Sequence, residues 1–148
     1  MLEKLKNLLL TLRCWIVCVS PLGDLVLRLW IANVFWKSGL TKIASWDSTL
    51  ALFENEYSVP FLPPEIAAYM GTATELSMPV LLVLGLGTRF GAFVLFVFNI
   101  IAVVSYPDLT EAARYNHLQW GLMIMLIFFH GPGKVSLDHW ISRKFLKM

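Results

Sequence analysis

The sequence predicts an all-α integral membrane protein, a four-helix bundle with both termini in the cytoplasm. Three observations predict this class: the composition, four recurring apolar blocks, and a sided distribution of charge. Of 148 residues, 57% are hydrophobic and 15% are charged, whereas soluble domains average about 45–50% and about 25%. The same composition, with a net charge of +2, excludes disordered, collagen-like, coiled-coil and nucleic-acid-binding proteins.

Four apolar blocks are separated by short polar joints, and we treat residues 1–148 as a single transmembrane domain. A membrane-spanning helix needs about 20 predominantly apolar residues. The third block has no Asp, Glu, Lys or Arg between Phe90 and Tyr106 and is the strongest candidate, while the fourth is short. The predicted spans are 21–43, 64–86, 88–106 and 116–130.

Prolines and glycines predict where each span begins and ends, because proline suits the first helical turn and glycine suits the position after a helix. A further proline, Pro79, lies inside the second span and predicts a kink there. In chain order, the predicted boundaries are Ser20-Pro21, Pro63-Pro64, Gly85 and Gly87 with Thr88 as a cap, Pro107, and Gly131-Pro132-Gly133.

The charges predict the orientation, because Lys and Arg accumulate on the cytoplasmic side of membrane proteins. Basic residues dominate the two terminal segments and the second joint, and acidic residues dominate the first and third joints. Both termini are therefore predicted to be cytoplasmic. The basic set is Lys4, Lys6, Arg13, Arg89, Lys134, Arg143, Lys144 and Lys147; the opposite side carries Asp47, Glu54, Glu56, Glu65, Asp108, Glu111 and only Arg114.

Both ends of the chain carry apolar residues at helical spacing beside lysines, which predicts amphipathic helices lying on the cytoplasmic leaflet at 2–19 and 136–147. The first joint, 44–62, is long for a connection between helices and rich in aromatic residues. We expect this joint to lie in the outer headgroup layer and to cover the mouth of the bundle.

Two ionisable residues lie inside the predicted spans, where charge is costly and usually faces the protein interior. Arg28 has Asp24 one turn before it, and Glu75 lies about halfway along the second span. One interpretation is a structural ion pair in which Arg28 and Glu75 lock the first two spans together. The other is that Glu75 exchanges protons with a bound redox or transported ligand.

A second polar group is predicted near the outer face. Lys42 and Lys37 lie late in the first span, where lysines snorkel to headgroups, and His117 lies early in the fourth. His117 is either a hydrogen-bonded helix-end histidine or a proton donor to a quinone-like head group. Asn99, at mid-membrane in the third span, is expected to make an interhelical hydrogen bond.

On the cytoplasmic side, Arg89 and Asp138 are predicted to form a structural latch, with Ser136 capping the tail helix. Cys14 and Cys18 are four residues apart, unlike the Cys-x-x-Cys redox motif, and we expect two plain thiols; a redox pair is the alternative. No spacing of ligands typical of a metal or haem site is present, so neither a metal nor an intrinsic cofactor is predicted.

Several residues, taken in chain order, resemble the DoxX family of small four-helix bacterial inner-membrane proteins. The resemblance covers about residues 24–140 and leaves the N-terminal amphipathic segment outside. Bulky Met78, near Glu75, stands where similar proteins often have glycine. The residues that carry the resemblance are Arg28, Gly39, Lys42, Glu75, Leu84-Gly85-Leu86-Gly87-Thr88-Arg89 and Gly131-Pro132-Gly133-Lys134-Val135-Ser136-Leu137-Asp138.

The resemblance implies a multi-pass protein that acts as an accessory or quinone-interacting subunit of a membrane redox system and is not an enzyme on its own. Its implied partners are the lipid bilayer, membrane or peripheral redox proteins and further copies of itself; nucleic acid is not among them. No catalytic role attaches to the matching residues. The alternatives are a small-molecule transporter working as an oligomer, with Arg28 and Glu75 lining the path, and a structural scaffold.

Overall fold

The structure, a computed structural model, describes residues 2–146, and all of its regular elements are helical. The predicted all-α class is confirmed for these residues. Lys147, in the predicted tail helix, lies outside them. The helices are α1 (Leu2–Ala44), α2 (Trp46–Asn55), α3 (Pro64–Leu84), α4 (Thr88–Ser105), α5 (Glu111–His130) and α6 (Leu137–Ile141), followed by a π-helical turn (Ser142–Leu146).

The four long helices pack side by side. Helix α1 contacts α3 and α5, and α4 contacts the same two helices, while the short helix α2 packs across α3 and the end of α1. The main core lies between the long helices and includes Ile31, Phe35, Leu82, Leu95 and Ile124. A second, smaller core forms where Phe53 of α2 meets two alanines of α3.

Helix α1 differs most from the prediction. The predicted break at Ser20-Pro21 is wrong, because α1 runs through Pro21 as one helix of 43 residues. Proline removes only one backbone hydrogen bond of a helix, and the turns on both sides keep theirs. At about 1.5 Å per residue the helix is about 65 Å long, roughly twice the hydrocarbon thickness of a bilayer.

The other helix boundaries follow the local chemistry of the chain. Helix α3 has proline at its first position and ends at Gly85, and α4 ends two residues before Pro107. Helix α5 begins at Glu111, five residues before the predicted start, because Thr110 caps it and accepts a hydrogen bond from the amide of Ala113 at 3.3 Å.

Three helical segments are long and apolar enough to cross a membrane: Glu3–Ala44, Pro64–Leu84 and Thr88–Ser105. Helix α5 is 20 residues long but carries more polar side chains. Each long helix buries a narrow stripe and leaves large apolar side chains on its outer surface, such as Trp30, Phe93 and Phe129. Continuous exposed apolar surface of this kind marks a protein that contacts lipid.

Candidate functional site

A cavity of about 630 Å³ lies among the helices at the end where α1 meets α2. Its walls are mainly apolar, and its polar groups come from α1, α3, α4, α5 and the segment after α2. The side chains that line it include Val34, Phe35, Ser38, Lys42, Tyr57, Phe61, Met70, Thr74, Glu75, Phe93, Val97, Ile101, Ser105, His117 and Trp120.

The central polar group of the cavity is an ion pair between α1 and α3. The Nζ of Lys42 lies 2.5 Å from Oε2 of Glu75, and the hydroxyl of Ser38 donates to Oε1 of the same carboxylate at 3.0 Å. The side chains of Lys42 and Glu75 are only 14% and 5% exposed. Both carboxylate oxygens therefore have a donor, which is the condition for holding an ion pair out of water.

Gly39 allows the two helices to approach closely at this point. A Cβ atom built on Gly39 would lie 2.8 Å from Cδ2 of Leu76 and 3.1 Å from Cβ of Glu75. Any larger residue would push α3 away from α1 and lengthen the distance that the Lys42 side chain has to span.

The predicted ion pair between Arg28 and Glu75 is not formed. In an α-helix the Cα–Cβ bond tilts towards the N-terminus. Helices α1 and α3 run antiparallel, since Gly39 contacts Glu75 while Arg28 contacts Leu82. Glu75 therefore leans towards the end where Lys42 lies, and Arg28 leans away from it.

His117 occupies the α5 wall of the cavity and is held by Asn99 of α4. The amide nitrogen of Asn99 donates to the backbone carbonyl of His117 at 2.9 Å, and Nδ1 of His117 lies 2.7 Å from Oδ1 of Asn99. The Asn99 oxygen can only accept, so the neutral ring carries its proton on Nδ1 and leaves Nε2 as an acceptor. The ring of Trp120 packs edge-on against the imidazole, with centroids 4.8 Å apart.

The outer wall is aromatic and comes from the segment after α2. Tyr57 stacks between Phe53 and Tyr106, with ring centroids 4.7 Å and 5.0 Å away. Burial raises the pKa of the Tyr57 phenol, and the negative charges of Glu75 and Glu56 raise it further. Phe53 and Tyr57 belong to the aromatic joint 44–62 that was expected at the mouth of the bundle, and both line the cavity. Neither was predicted to contact a ligand.

Ser105, at the last turn of α4, is a further residue of the cavity wall that was not predicted from the sequence. Its side chain is fully buried and lines the cavity, and its hydroxyl has no hydrogen-bond partner within residues 2–146. A buried hydroxyl without a partner is unusual in a native protein. Although Ser105 belongs to the cavity wall, its hydroxyl is enclosed by protein atoms and is not exposed to the cavity.

Arg28 lies outside the cavity, at the opposite end of the helices. Its guanidinium is buried and donates to the backbone carbonyls of Leu82, at 3.2 Å, and of Val135 in the tail. Within residues 2–146 no carboxylate lies in salt-bridge range of Arg28; Asp24 instead lies 3.8 Å from Nε2 of His130. Arg28 thus fastens the tail to α1 and α3.

Asp138 also acts differently from the prediction. It does not pair with Arg89. Its two carboxylate oxygens accept from the amides of Gly87 and Thr88 at 2.8 and 2.9 Å, so it caps α4 in place of the predicted Thr88 side chain. Arg89 lies against Gly131. Ser136 caps α6 by accepting from the amide of His139 at 3.1 Å.

The remaining residues that the sequence pattern singled out lie outside the cavity. Cys14 and Cys18 are exposed free thiols on the part of α1 before Pro21, and Lys37 is exposed on α1. Among the described residues, no three His, Cys, Asp or Glu side chains are grouped to hold a metal ion.

Long apolar helices with exposed apolar faces, around a mainly apolar cavity that holds a few polar side chains, define a helical membrane protein. Comparison with known proteins gives the family: the DoxX model matches residues 23–107. The chain belongs to the DoxX family. An uncharacterized protein of Haemophilus influenzae is 30% identical over 136 residues, covering 84% of this chain and 86% of that protein. No solved structure matches.

Proposed function

We propose that this DoxX protein is an accessory subunit of a membrane redox system in the bacterial inner membrane and that it holds a quinone-like, lipid-soluble ligand in its cavity. In this proposal α1, α3, α4 and α5 all cross the bilayer, with both termini cytoplasmic. The lengths of the four helices and the sided distribution of Lys and Arg support this arrangement.

One observation carries the proposal: the cavity has mainly apolar walls, and the polar side chains of Lys42, Glu75 and His117 line it. Its volume of about 630 Å³ is typical of sites for small organic ligands. A quinone has the matching character, an apolar ring and tail with two carbonyl acceptors.

The residues of the chain have distinct roles in this proposal. Lys42 donates a hydrogen bond to a carbonyl oxygen, and Nε2 of His117 accepts from a hydroxyl, so the oxidised and reduced forms of the ligand both find partners. Glu75 holds the Nζ of Lys42 in place at the cavity wall. A bound quinone supplies two-electron redox chemistry, for which the chain itself holds no cofactor motif.

The transporter alternative needs Arg28 and Glu75 on one path. The two residues lie in separate surroundings, one against the tail and one in the cavity, so the geometry favours the ligand-holding proposal.

Purification in mild detergent, followed by mass spectrometry of the extracted lipids, tests whether a quinone accompanies the protein. A titration with a short-chain quinone then measures affinity through quenching of Trp120, which lines the cavity. Lys42→Met and His117→Phe each remove a hydrogen bond and are expected to weaken binding by about 10- to 100-fold, the equivalent of about 1.5–3 kcal/mol.

Lys37→Met is the matched control, because Lys37 is an exposed lysine of the same helix that does not line the cavity. We expect it to bind like the parent protein. Absence of quinone binding by the parent, or equal affinity in all three variants, would overturn the proposal. Solute flux into proteoliposomes that disappears in an Arg28→Gln variant would favour the transporter.

A further inference from the structure

The cavity has an opening between α3 and α4. Four large apolar side chains of α3 and α4 line the cavity and are also exposed at the surface: Met70 of α3 (56%) and Phe93 (53%), Val97 (39%) and Ile101 (41%) of α4. Phe61 and Leu62, in the segment between α2 and α3, also line the cavity and are exposed. A side chain that faces an internal space and the outside at once marks the rim of an opening.

The three other seams between neighbouring long helices are closed at the level of the cavity. Gly39 brings α1 against α3. Asn99 and His117 bond α4 to α5, and a Cβ atom on Gly121 would lie only 3.2 Å from the Asn99 amide nitrogen. The seam between α1 and α5 is filled by the aromatic contact of Phe35 with Trp120, at 6.2 Å between centroids.

The opening lies in the most apolar part of the chain. The rim residues of α4 extend over two turns, from Phe93 to Ile101, within a stretch that has no Asp, Glu, Lys or Arg. Such a stretch sits in the hydrocarbon layer of a bilayer and away from the headgroups. A water-soluble molecule does not meet this opening, whereas a lipid-soluble one does.

We propose that the opening between α3 and α4 is a lateral portal through which a molecule with a polar head and a long apolar tail enters the cavity directly from the bilayer core. The head reaches Lys42, and the tail stays between Met70 and Val97 in contact with lipid. The choice of a quinone-like head rests on the proposed function, but the portal itself rests on the rim residues and the closed seams.

Trp120 provides a reporter inside the cavity. A variant that keeps Trp120 and carries Phe at the five other tryptophan positions is reconstituted in phosphatidylcholine vesicles containing a phospholipid brominated in mid-chain. Bromine quenches tryptophan on contact, so an open portal lets acyl chains quench Trp120. A second single-tryptophan variant that keeps Trp30, which is 57% exposed on α1 and does not line the cavity, gives the quenching of a lipid-facing side chain.

Val97→Phe narrows the portal and is expected to reduce the quenching of Trp120 to about half or less. Ile100→Phe is the matched control, because Ile100 is an exposed residue of the same helix (48%) that does not line the cavity. It is expected to leave the quenching unchanged. A thermal melt of both variants ensures that folded proteins are compared.

The outcomes separate the portal from the proposed ligand. Quenching of Trp120 that falls in Val97→Phe and persists in Ile100→Phe supports the portal, even if no quinone binds; in that case only the proposed function fails. An unquenched Trp120 beside a quenched Trp30 overturns the portal, and so does equal quenching in the two phenylalanine variants. If a quinone does bind, slower association in Val97→Phe than in Ile100→Phe is a second supporting result.

Discussion

Replacement of Lys42 by methionine tests the ion pair at the centre of the cavity. The change keeps an unbranched apolar chain but leaves the Glu75 carboxylate, whose side chain is 5% exposed, with Ser38 as its remaining donor. Removing one partner of a buried pair costs about 3–5 kcal/mol. Lys42 is 14% exposed and Glu75 keeps its hydrogen bond from Ser38. The expected loss in the free energy of unfolding is therefore smaller, about 2–3 kcal/mol.

The assay is unfolding in mixed detergent micelles, followed by circular dichroism, with Lys37→Met as the exposed control, expected within about 0.5 kcal/mol of the parent. The double variant Lys42→Met/Glu75→Leu removes both charges and should recover most of the loss, because an apolar pair often replaces a buried ion pair without cost. A single variant as stable as the parent, or a double variant no more stable than the single one, would refute the reasoning.

Three further predictions concern the tail and the outer wall. Gly85→Ala should lower the free energy of unfolding by more than about 1 kcal/mol, because φ of Gly85 is +65° and the new Cβ would lie 2.5 Å from Cβ of Ser136. A melting temperature equal to that of the parent would contradict this prediction. Asp138→Ala should lower the free energy of unfolding by about 1–2 kcal/mol and speed hydrogen exchange at the amide of Thr88. Unchanged exchange at this amide would argue against the capping of α4 by Asp138. The raised pKa of Tyr57 means that stability falls as pH rises above the phenol's ordinary 10.0; Tyr57→Phe should flatten this alkaline loss, and an identical alkaline unfolding curve would count against it.

Local chemistry made much of the fold predictable from the sequence. Proline and glycine act on the turn in which they stand, so the start of α3 at Pro64 and the end of α5 before Gly131 match the boundaries in the structure. Pro21 shows the limit of this reasoning. A proline suits the first turn of a helix, yet a long helix tolerates it in the interior when the turns around it remain bonded.

The pairing of polar groups was less predictable, because it depends on the direction in which side chains lean. Lys42, Glu75 and His117 all stand out in the sequence, and the structure brings them to one cavity. The predicted partner of Glu75 was wrong, since depth along the helix was considered without the tilt of the Cα–Cβ bonds. Ser105 was not predicted as a site residue, because serine is common at the ends of helices and its presence there does not indicate a binding site.

The contacts of the tail connect residues that are synthesised far apart in time. Arg28 bonds the carbonyl of Val135, 107 residues later, and Asp138 caps a helix that begins 50 residues before it. Proteins are synthesised at about 5–20 residues per second, so Val135 is made about 5–20 s after Arg28. Until then the buried guanidinium has the carbonyl of Leu82 as an acceptor but not that of Val135, so the helices are less stable than in the finished protein. Helices α1, α3 and α4 therefore reach their final contacts only when the tail from Val135 to Asp138 has been made.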